Sequence, residues 1–283
     1  MPVMEIPVSC FSLEHTMLSG QPPYFLMNYN NGRAEFLVGS AAVFLEQIQN
    51  SLRLEWSGES DEEVRKVVEY RFRLKDDMKL IYKKIIKDEF MLNAVRELYG
   101  LRLTLSEPWE TLACFICSTN NNLKNIKCIV ENLSCMFGEK VTVDGRVFHR
   151  FPTADVISKA DLKMLKKCKL GFRAAYLKNA AKVCLEKVDL TGIAEMSYAE
   201  GRMELMRIKG VGEKIADCVM LFAYGKLEAF PIDVWVRRTM QRVYFKERKP
   251  TDSQIRSFAM EYWDGYAGYA QQYVYQYGRK TTF

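Results

Sequence analysis

From Val3 to about Glu55, apolar and polar residues alternate in short runs broken by turn formers. Runs at 8–13, 21–24, 28–32 and 35–38 read as antiparallel strands. A polar stretch at 57–61 closes this region, and from Glu62 onward the period changes. Val64, Val67 and Val68, then Leu80, Ile81, Ile85, Ile86 and Phe90, fall at helical spacing. Amphipathic stretches at 108–117, 123–137, 159–165, 173–185, 200–208 and 213–224 continue it, and a last one runs through 253–277. Strands first and helices after predict an α+β fold, with a small N-terminal antiparallel β-sheet domain packed on a mostly α-helical domain. Leu101-Arg-Leu-Thr-Leu-Ser-Glu-Pro108 reads as a linker ending at a helix start, which divides the chain into 1–103 and 104–283.

Composition changes this picture little. With 283 residues, 48% hydrophobic and 27% charged, the chain is expected to be soluble and to bury a core of its own. The net charge of +6 suits a partner with a phosphate backbone without requiring one. No apolar run approaches the roughly 18 residues of a membrane span, so no membrane partner is expected. Eight scattered cysteines and no secretory segment point to reduced thiols and a cytoplasmic, nucleoid-associated location. Cys114 and Cys117 have the spacing of half a metal site, but the next cysteine is Cys128, and His15 and His149 are the only histidines. Two buried helical thiols are the favoured reading.

The informative window is 205–224, where two helical runs meet at Gly210-Val211-Gly212. Glycines there permit positive φ and leave bare N–H groups at the start of the second helix, where the dipole favours a phosphate. Lys214 follows in the first turn. Dipole and burial both disfavour an ammonium there, which makes its amine a candidate nucleophile. The plain alternative is a solvated lysine paired with Asp217. After Pro231, Asp233 stands where an N-cap is expected, a role compatible with that of a catalytic carboxylate.

The segments Lys209-Gly-Val-Gly-Glu-Lys-Ile-Ala-Asp-Cys218 and Phe230-Pro-Ile-Asp-Val234 carry a resemblance to a known family, the 8-oxoguanine DNA glycosylases of the helix-hairpin-helix, Gly/Pro-Asp superfamily. Phe115-Ile-Cys-Ser-Thr-Asn-Asn-Asn122, Leu170-Gly-Phe-Arg-Ala-Ala-Tyr176 and Gly265-Tyr-Ala-Gly-Tyr-Ala-Gln271 resemble it in the same order, and Ser19-Gly20-Gln21 does so more weakly. The resemblance implies a bifunctional glycosylase and AP lyase acting on double-stranded DNA that contains 8-oxoguanine. Lys214 would attack C1′, expel the base and form a Schiff base, after which β-elimination nicks the strand. Asp233 would stabilise the cationic sugar.

By the same resemblance, Gln271 bonds the Watson–Crick edge of the flipped base, Tyr275 stacks on it and Cys218 forms the opposite wall. The Gly20 carbonyl accepts from N7–H, while Gly210, Val211 and Gly212 hold a DNA phosphate. The helically spaced Tyr266, Tyr269, Tyr273 and Tyr277 are expected in the core. Asn120 is the wedge, Phe172 intercalates and Arg173 bonds the orphan cytosine. Asn125 stands where many members carry a second arginine, which predicts relaxed opposite-base preference. Two further departures are Lys209, where the hairpin usually has proline, and Pro22-Pro23 after Gln21. The implied enzyme is a monomer without a cofactor or catalytic metal, and the hairpin carbonyls are a candidate seat for a structural cation. No cysteine follows Cys218, which excludes the iron-sulfur branch of the superfamily. An alkylated-base glycosylase and a non-catalytic helix-hairpin-helix DNA-binding protein are the alternatives.

Overall fold

The computed structural model describes residues 1–281. The chain opens with β1 (Val3–Pro7), the short helices α1 (Leu13–Met17) and α2 (Pro22–Leu26), and then β2 (Asn28–Asn30), β3 (Arg33–Val38), β4 (Ala41–Ile48) and β5 (Ser51–Ser57). The strands form one antiparallel sheet in the order β1-β5-β4-β3-β2. Along β3 and β5 every second residue is buried: Ala34, Phe36 and Val38, then Leu52, Leu54 and Trp56. Pairing Val43 with Trp56 and Leu45 with Leu54 puts both strands' apolar residues on one face. Helix α3 (Asp61–Arg71), capped by the Ser60 hydroxyl, lays Val64 and Val68 into the same core. Phe72 closes it, edge-on to Phe36 and Phe11.

Two expected strands are absent. Residues 8–13 lead into α1 because Ser12 accepts from the His15 amide and caps a helix there. Residues 21–24 enter α2, whose first turn holds Pro22 and Pro23, where a missing N–H costs nothing and φ is preset.

The rest of the chain is helical apart from one hairpin. Helices α4 (Met78–Ile85), α5 (Glu89–Glu97), α6 (Pro108–Cys117) and α7 (Leu123–Phe137) come first. The unpredicted hairpin of β6 (Lys140–Val143) and β7 (Arg146–His149) follows. Asp144 and Gly145 both take positive φ at its tip, the turn that Asp-Gly favours, so its signal was present in the sequence. Next are α8 (Ala154–Lys159), α9 (Leu162–Leu165), a π turn at Lys166–Leu170 and α10 (Arg173–Glu186). A 3-10 turn at Gly192–Glu195 leads to α11 (Tyr198–Met206), α12 (Glu213–Phe222), α13 (Val234–Val243), α14 (Asp252–Tyr262) and α15 (Ala267–Lys280).

The stretch expected at 159–165 is broken, because Asp161 caps a new helix with bonds to the Lys163 and Met164 amides. The run expected at 253–277 is two helices, separated where Asp264 and Gly265 turn to positive φ. The supposed linker is interior: Leu101, Leu103, Leu105 and Thr104 are buried, and the Arg102 guanidinium donates to the carbonyls of Arg73, Asp76 and Ser9. Pro108 does open a helix, as expected.

The helical core extends from Met78 to Val274 and also takes in Phe25. At its centre lies α12, buried continuously from Ile215 to Phe222. That run includes a carboxylate, Asp217, which has no solvent exposure. It accepts from the Tyr198 hydroxyl at 2.7 Å, Arg202 Nε at 2.8 Å and Arg256 Nη2 at 3.1 Å. The same two arginines reach Glu213 at 3.0 and 3.1 Å, so α11, α12 and α14 are tied at one point. Burial raises the Asp217 carboxyl above its ordinary range, while Arg256, Tyr198 and Arg202 pull against that rise. Asp217 is therefore committed to these partners and not to Lys214.

Removing one partner of a buried pair leaves the others desolvated and uncompensated, a loss of about 3–5 kcal/mol. Asp217→Asn is expected to cost this much in urea unfolding. A loss below about 1 kcal/mol would show that the clamp does not hold these helices.

Candidate active site

The hairpin between α11 and α12 is shaped by its glycines. Gly210 has φ +94°, and a Cβ there would strike the Tyr176 ring of α10. Val211 is buried in the helical core and its amide donates to the Ile208 carbonyl at 2.9 Å. Gly212 is the extended N-cap of α12, with open space around it and no side chain capping the helix. The first amides of α12 therefore have no side-chain acceptor at the N-cap.

Lys214 is the second residue of α12 and is half-buried. Its Nζ donates to the Ser118 hydroxyl at 3.0 Å and lies 4.8 Å from the centre of the Phe115 ring. Ser118 donates its own proton to the Phe115 carbonyl at 2.7 Å, which leaves its lone pairs toward the lysine. Neither Ser118 nor Phe115 was singled out from the sequence, although both lie in the segment that carried the resemblance. Asp233 is the N-cap of α13, with Oδ1 accepting from the Val236 amide at 2.8 Å. Among the described residues, Lys214 makes no ion pair with it within 4.0 Å.

Lys214 and Asp233 nevertheless lie close enough to Cys218, and Asp233 and Cys218 close enough to Tyr275, for their charges to act on those groups. Burial pushes the Cys218 thiol up to about 12; Lys214 pulls it down, and Asp217 and Asp233 add to the rise. It stays a neutral thiol at physiological pH. Burial also raises the Tyr275 phenol to about 12, against Arg279 and with Asp233 and Cys218. Arg279 lies 5.1 Å from the centre of the tyrosine ring and donates to its hydroxyl at 3.3 Å. Gly20 has φ +74°, and a Cβ there would sit 3.1 Å from Leu123 and 3.5 Å from the Tyr275 hydroxyl. Gln271 is buried and donates through Nε2 to the Pro231 carbonyl at 3.0 Å. A carbonyl accepts only from the NH₂ end, so the amide orientation is set and Oε1 is left buried without a partner. Tyr269 and Tyr273 are fully buried, and Tyr266 and Tyr277 pack against the core, as expected.

A separate group forms a rim. Asn120 is exposed at φ +48° in the loop between α6 and α7. Arg173 ties that loop to α10, donating to the carbonyls of Thr119 at 2.7 Å, Asn120 at 2.9 Å and Leu170 at 3.3 Å. Its guanidinium also lies 4.6 Å from the centre of the Phe172 ring, which is 54% exposed. Asn125 is exposed in the first turn of α7. Cys114 and Cys117 are buried free thiols, and no cluster of three His, Cys, Asp or Glu among the described residues is arranged to hold a metal.

Residues 113–264 match the model for HhH-GPD superfamily base excision DNA repair proteins. The chain belongs to that superfamily. Residues 3–112 match the N-terminal domain of 8-oxoguanine DNA glycosylases. A probable N-glycosylase/DNA lyase of Methanothermobacter thermautotrophicus is 30% identical over 98% of this chain and 96% of its own. The 8-oxoguanine glycosylase/lyase of Clostridium acetobutylicum, solved with DNA containing cytosine opposite 8-oxoG, has a TM-score of 0.90 at 29% identity. That match covers 100% of this chain and 99% of the other. The 3-methyladenine DNA glycosylase of Archaeoglobus fulgidus shares the fold, with a TM-score of 0.83 at 23% identity over 98% of each chain.

The hairpin geometry separates its two glycines. Gly210→Ala is expected to cost about 1–3 kcal/mol in unfolding, from positive φ and the Tyr176 clash, and to weaken binding to undamaged duplex. Gly212→Ala, in open space at negative φ, is expected to cost under about 1 kcal/mol. Equal costs at the two positions would contradict this account.

Proposed function

We propose that this HhH-GPD protein is a bifunctional DNA glycosylase and AP lyase that excises 8-oxoguanine from duplex DNA. The observation that carries the reading is the Lys214 amine in the first turn of α12, near enough to Cys218 to act on its thiol, as is the carboxylate of the helix cap Asp233. A duplex base must leave the stack to reach these groups. Guanine's Watson–Crick edge presents N1–H and N2–H donors, and the unpartnered Oε1 of Gln271 is an acceptor for them. Tyr275 and Cys218 supply the two walls between which the base lies.

The unprotonated amine of Lys214 attacks C1′, and the glycosidic bond breaks with its electron pair going to the base. Oδ1 of Asp233 is engaged by the helix cap, which fixes the carboxylate and leaves Oδ2 to stabilise the cationic sugar. The nitrogen then gives up a proton and the sugar ring opens, the C1′–O4′ bond breaking as O4′ takes up a proton, so that the adduct becomes an iminium. Loss of the C2′ proton then drives β-elimination of the 3′ phosphate. A glycosylase that activates water, as the alkylated-base reading requires, has no use for an amine at position 214.

Lys214→Gln is expected to abolish both borohydride trapping and alkali-independent nicking on an 8-oxoguanine duplex. Trapping that survives the substitution would sink the catalytic reading. Asp233→Asn keeps a competent cap and removes the charge, so excision should fall on the order of 10²-fold with stability nearly unchanged. A fall in stability with an unchanged excision rate would make Asp233 a cap and nothing more.

Opposite-base preference should be relaxed. Arg173 is held by three carbonyls of its own chain, and Asn125 offers an uncharged amide that donates and accepts equally. Single-turnover excision from 8-oxoguanine opposite C, A, G and T should stay within about tenfold, since a bidentate arginine-to-base contact is worth about 1–3 kcal/mol. A cytosine preference above about 100-fold would contradict this.

A further inference from the structure

The backbone on either side of Gly20 is gripped by a buried polar network that no catalytic step uses. The Ser19 carbonyl accepts from Gln272 Nε2 at 3.0 Å and also from Gln276 Nε2, two amides one turn apart on α15. The Ser19 hydroxyl donates to the Thr16 carbonyl at 2.7 Å and accepts from Gln21 Nε2 at 2.8 Å. Gln21 is anchored in turn: its Nε2 donates to the Arg102 carbonyl at 2.8 Å, and its Oε1 accepts from the Thr104 amide at 2.9 Å. Ser19, Gln21, Thr104, Gln272 and Gln276 are all buried. Gly20 lies between these anchors at φ +74°, against Tyr275 and Leu123. No donor among the described residues meets its carbonyl.

We propose that Gln272 and Gln276 are positioning residues for damage recognition. By holding the Ser19 carbonyl they aim the next one, that of Gly20, at the N7–H that 8-oxoguanine carries and guanine lacks. This rests on the reading that the space beside Tyr275 receives a flipped 8-oxoguanine. A glycine fixes neither of its own backbone rotations, so its carbonyl direction is set by the peptide planes on either side. The Gln21 side chain holds the later plane. The two glutamines hold the earlier one, and a satisfied buried network is rigid. Their helix also carries Gln271 and Tyr275, so one element sets both the base-stacking wall and the acceptor facing it. A movement of α15 therefore carries both sides together and preserves the spacing that separates the two bases.

The test uses the full chain with Gln272→Met, Gln276→Met and the double substitution. Borohydride trapping on an abasic duplex needs the Lys214 amine but no base recognition, so it should stay within about threefold of native. The preference for 8-oxoguanine over guanine duplex, read by competition binding, should fall on the order of tenfold in the double variant, the worth of one well-aimed hydrogen bond. Each single variant keeps one donor and should show part of the loss, which also covers the case in which the double variant folds poorly. An unchanged preference with trapping retained would overturn the proposal, as would a parallel loss of preference and trapping. A native chain that traps abasic DNA yet shows no preference would overturn the substrate reading and the proposal with it. That outcome is told apart because it needs no variant.

Discussion

A carboxylate with no exposure, held by two guanidinium groups and a phenol, is the constraint on which the rest of this molecule depends. Desolvating an ionised Asp217 costs several kcal/mol, and only partners in good geometry offset that cost. Those partners come from α11 and α14, so the clamp exists only when three helices have assembled. Its effect is local and exacting. Lys214 stands three residues before Asp217 and Cys218 one after it, which makes the clamp the fixed point from which the amine and the pocket wall are placed.

Against that fixed point, the candidate amine and carboxylate are each held by a neutral partner. Lys214 rests on a serine hydroxyl and the face of Phe115, with no ion pair to Asp233. An amine tied to a carboxylate would be stabilised as an ammonium and would have to break the pair before attacking. A hydroxyl acceptor leaves no ion pair to be broken. Asp233 is oriented by a helix N-terminus, so its direction is set without an ion pair within 4.0 Å among the described residues. The amine and the carboxylate are thus positioned independently, each by contacts of its own.

The parts legible in the sequence were those with local causes. The Gly-Val-Gly turn, the Asp233 cap, the start of α6 at Pro108 and the periodic helices all follow from propensities acting within a few residues. The sheet is legible as a region, but two short runs alternate like strands and fold as helices, because alternation over four to six residues cannot outweigh a good cap or paired prolines. Residues 101–107 read as a linker because their burial is decided by Ser9, Arg73 and Gln21, which lie far away in sequence. Ser118 under Lys214, the Asp217 clamp and the double grip on Ser19 were invisible for the same reason: each joins residues that only the folded chain brings together. Arg173 shows the limit from the other side. The family motif assigns it to the orphan cytosine, while its geometry here makes it the clasp of the Asn120 loop.

The proposed chemistry requires the Lys214 amine to form the covalent link to damaged DNA. The most direct measurement reduces the native enzyme with an 8-oxoguanine duplex, digests the adduct and locates the modified residue by mass spectrometry. A single adduct is expected, carried by the peptide that contains Lys214. An adduct on Lys209, on the N-terminal amine or spread over several surface lysines would contradict it.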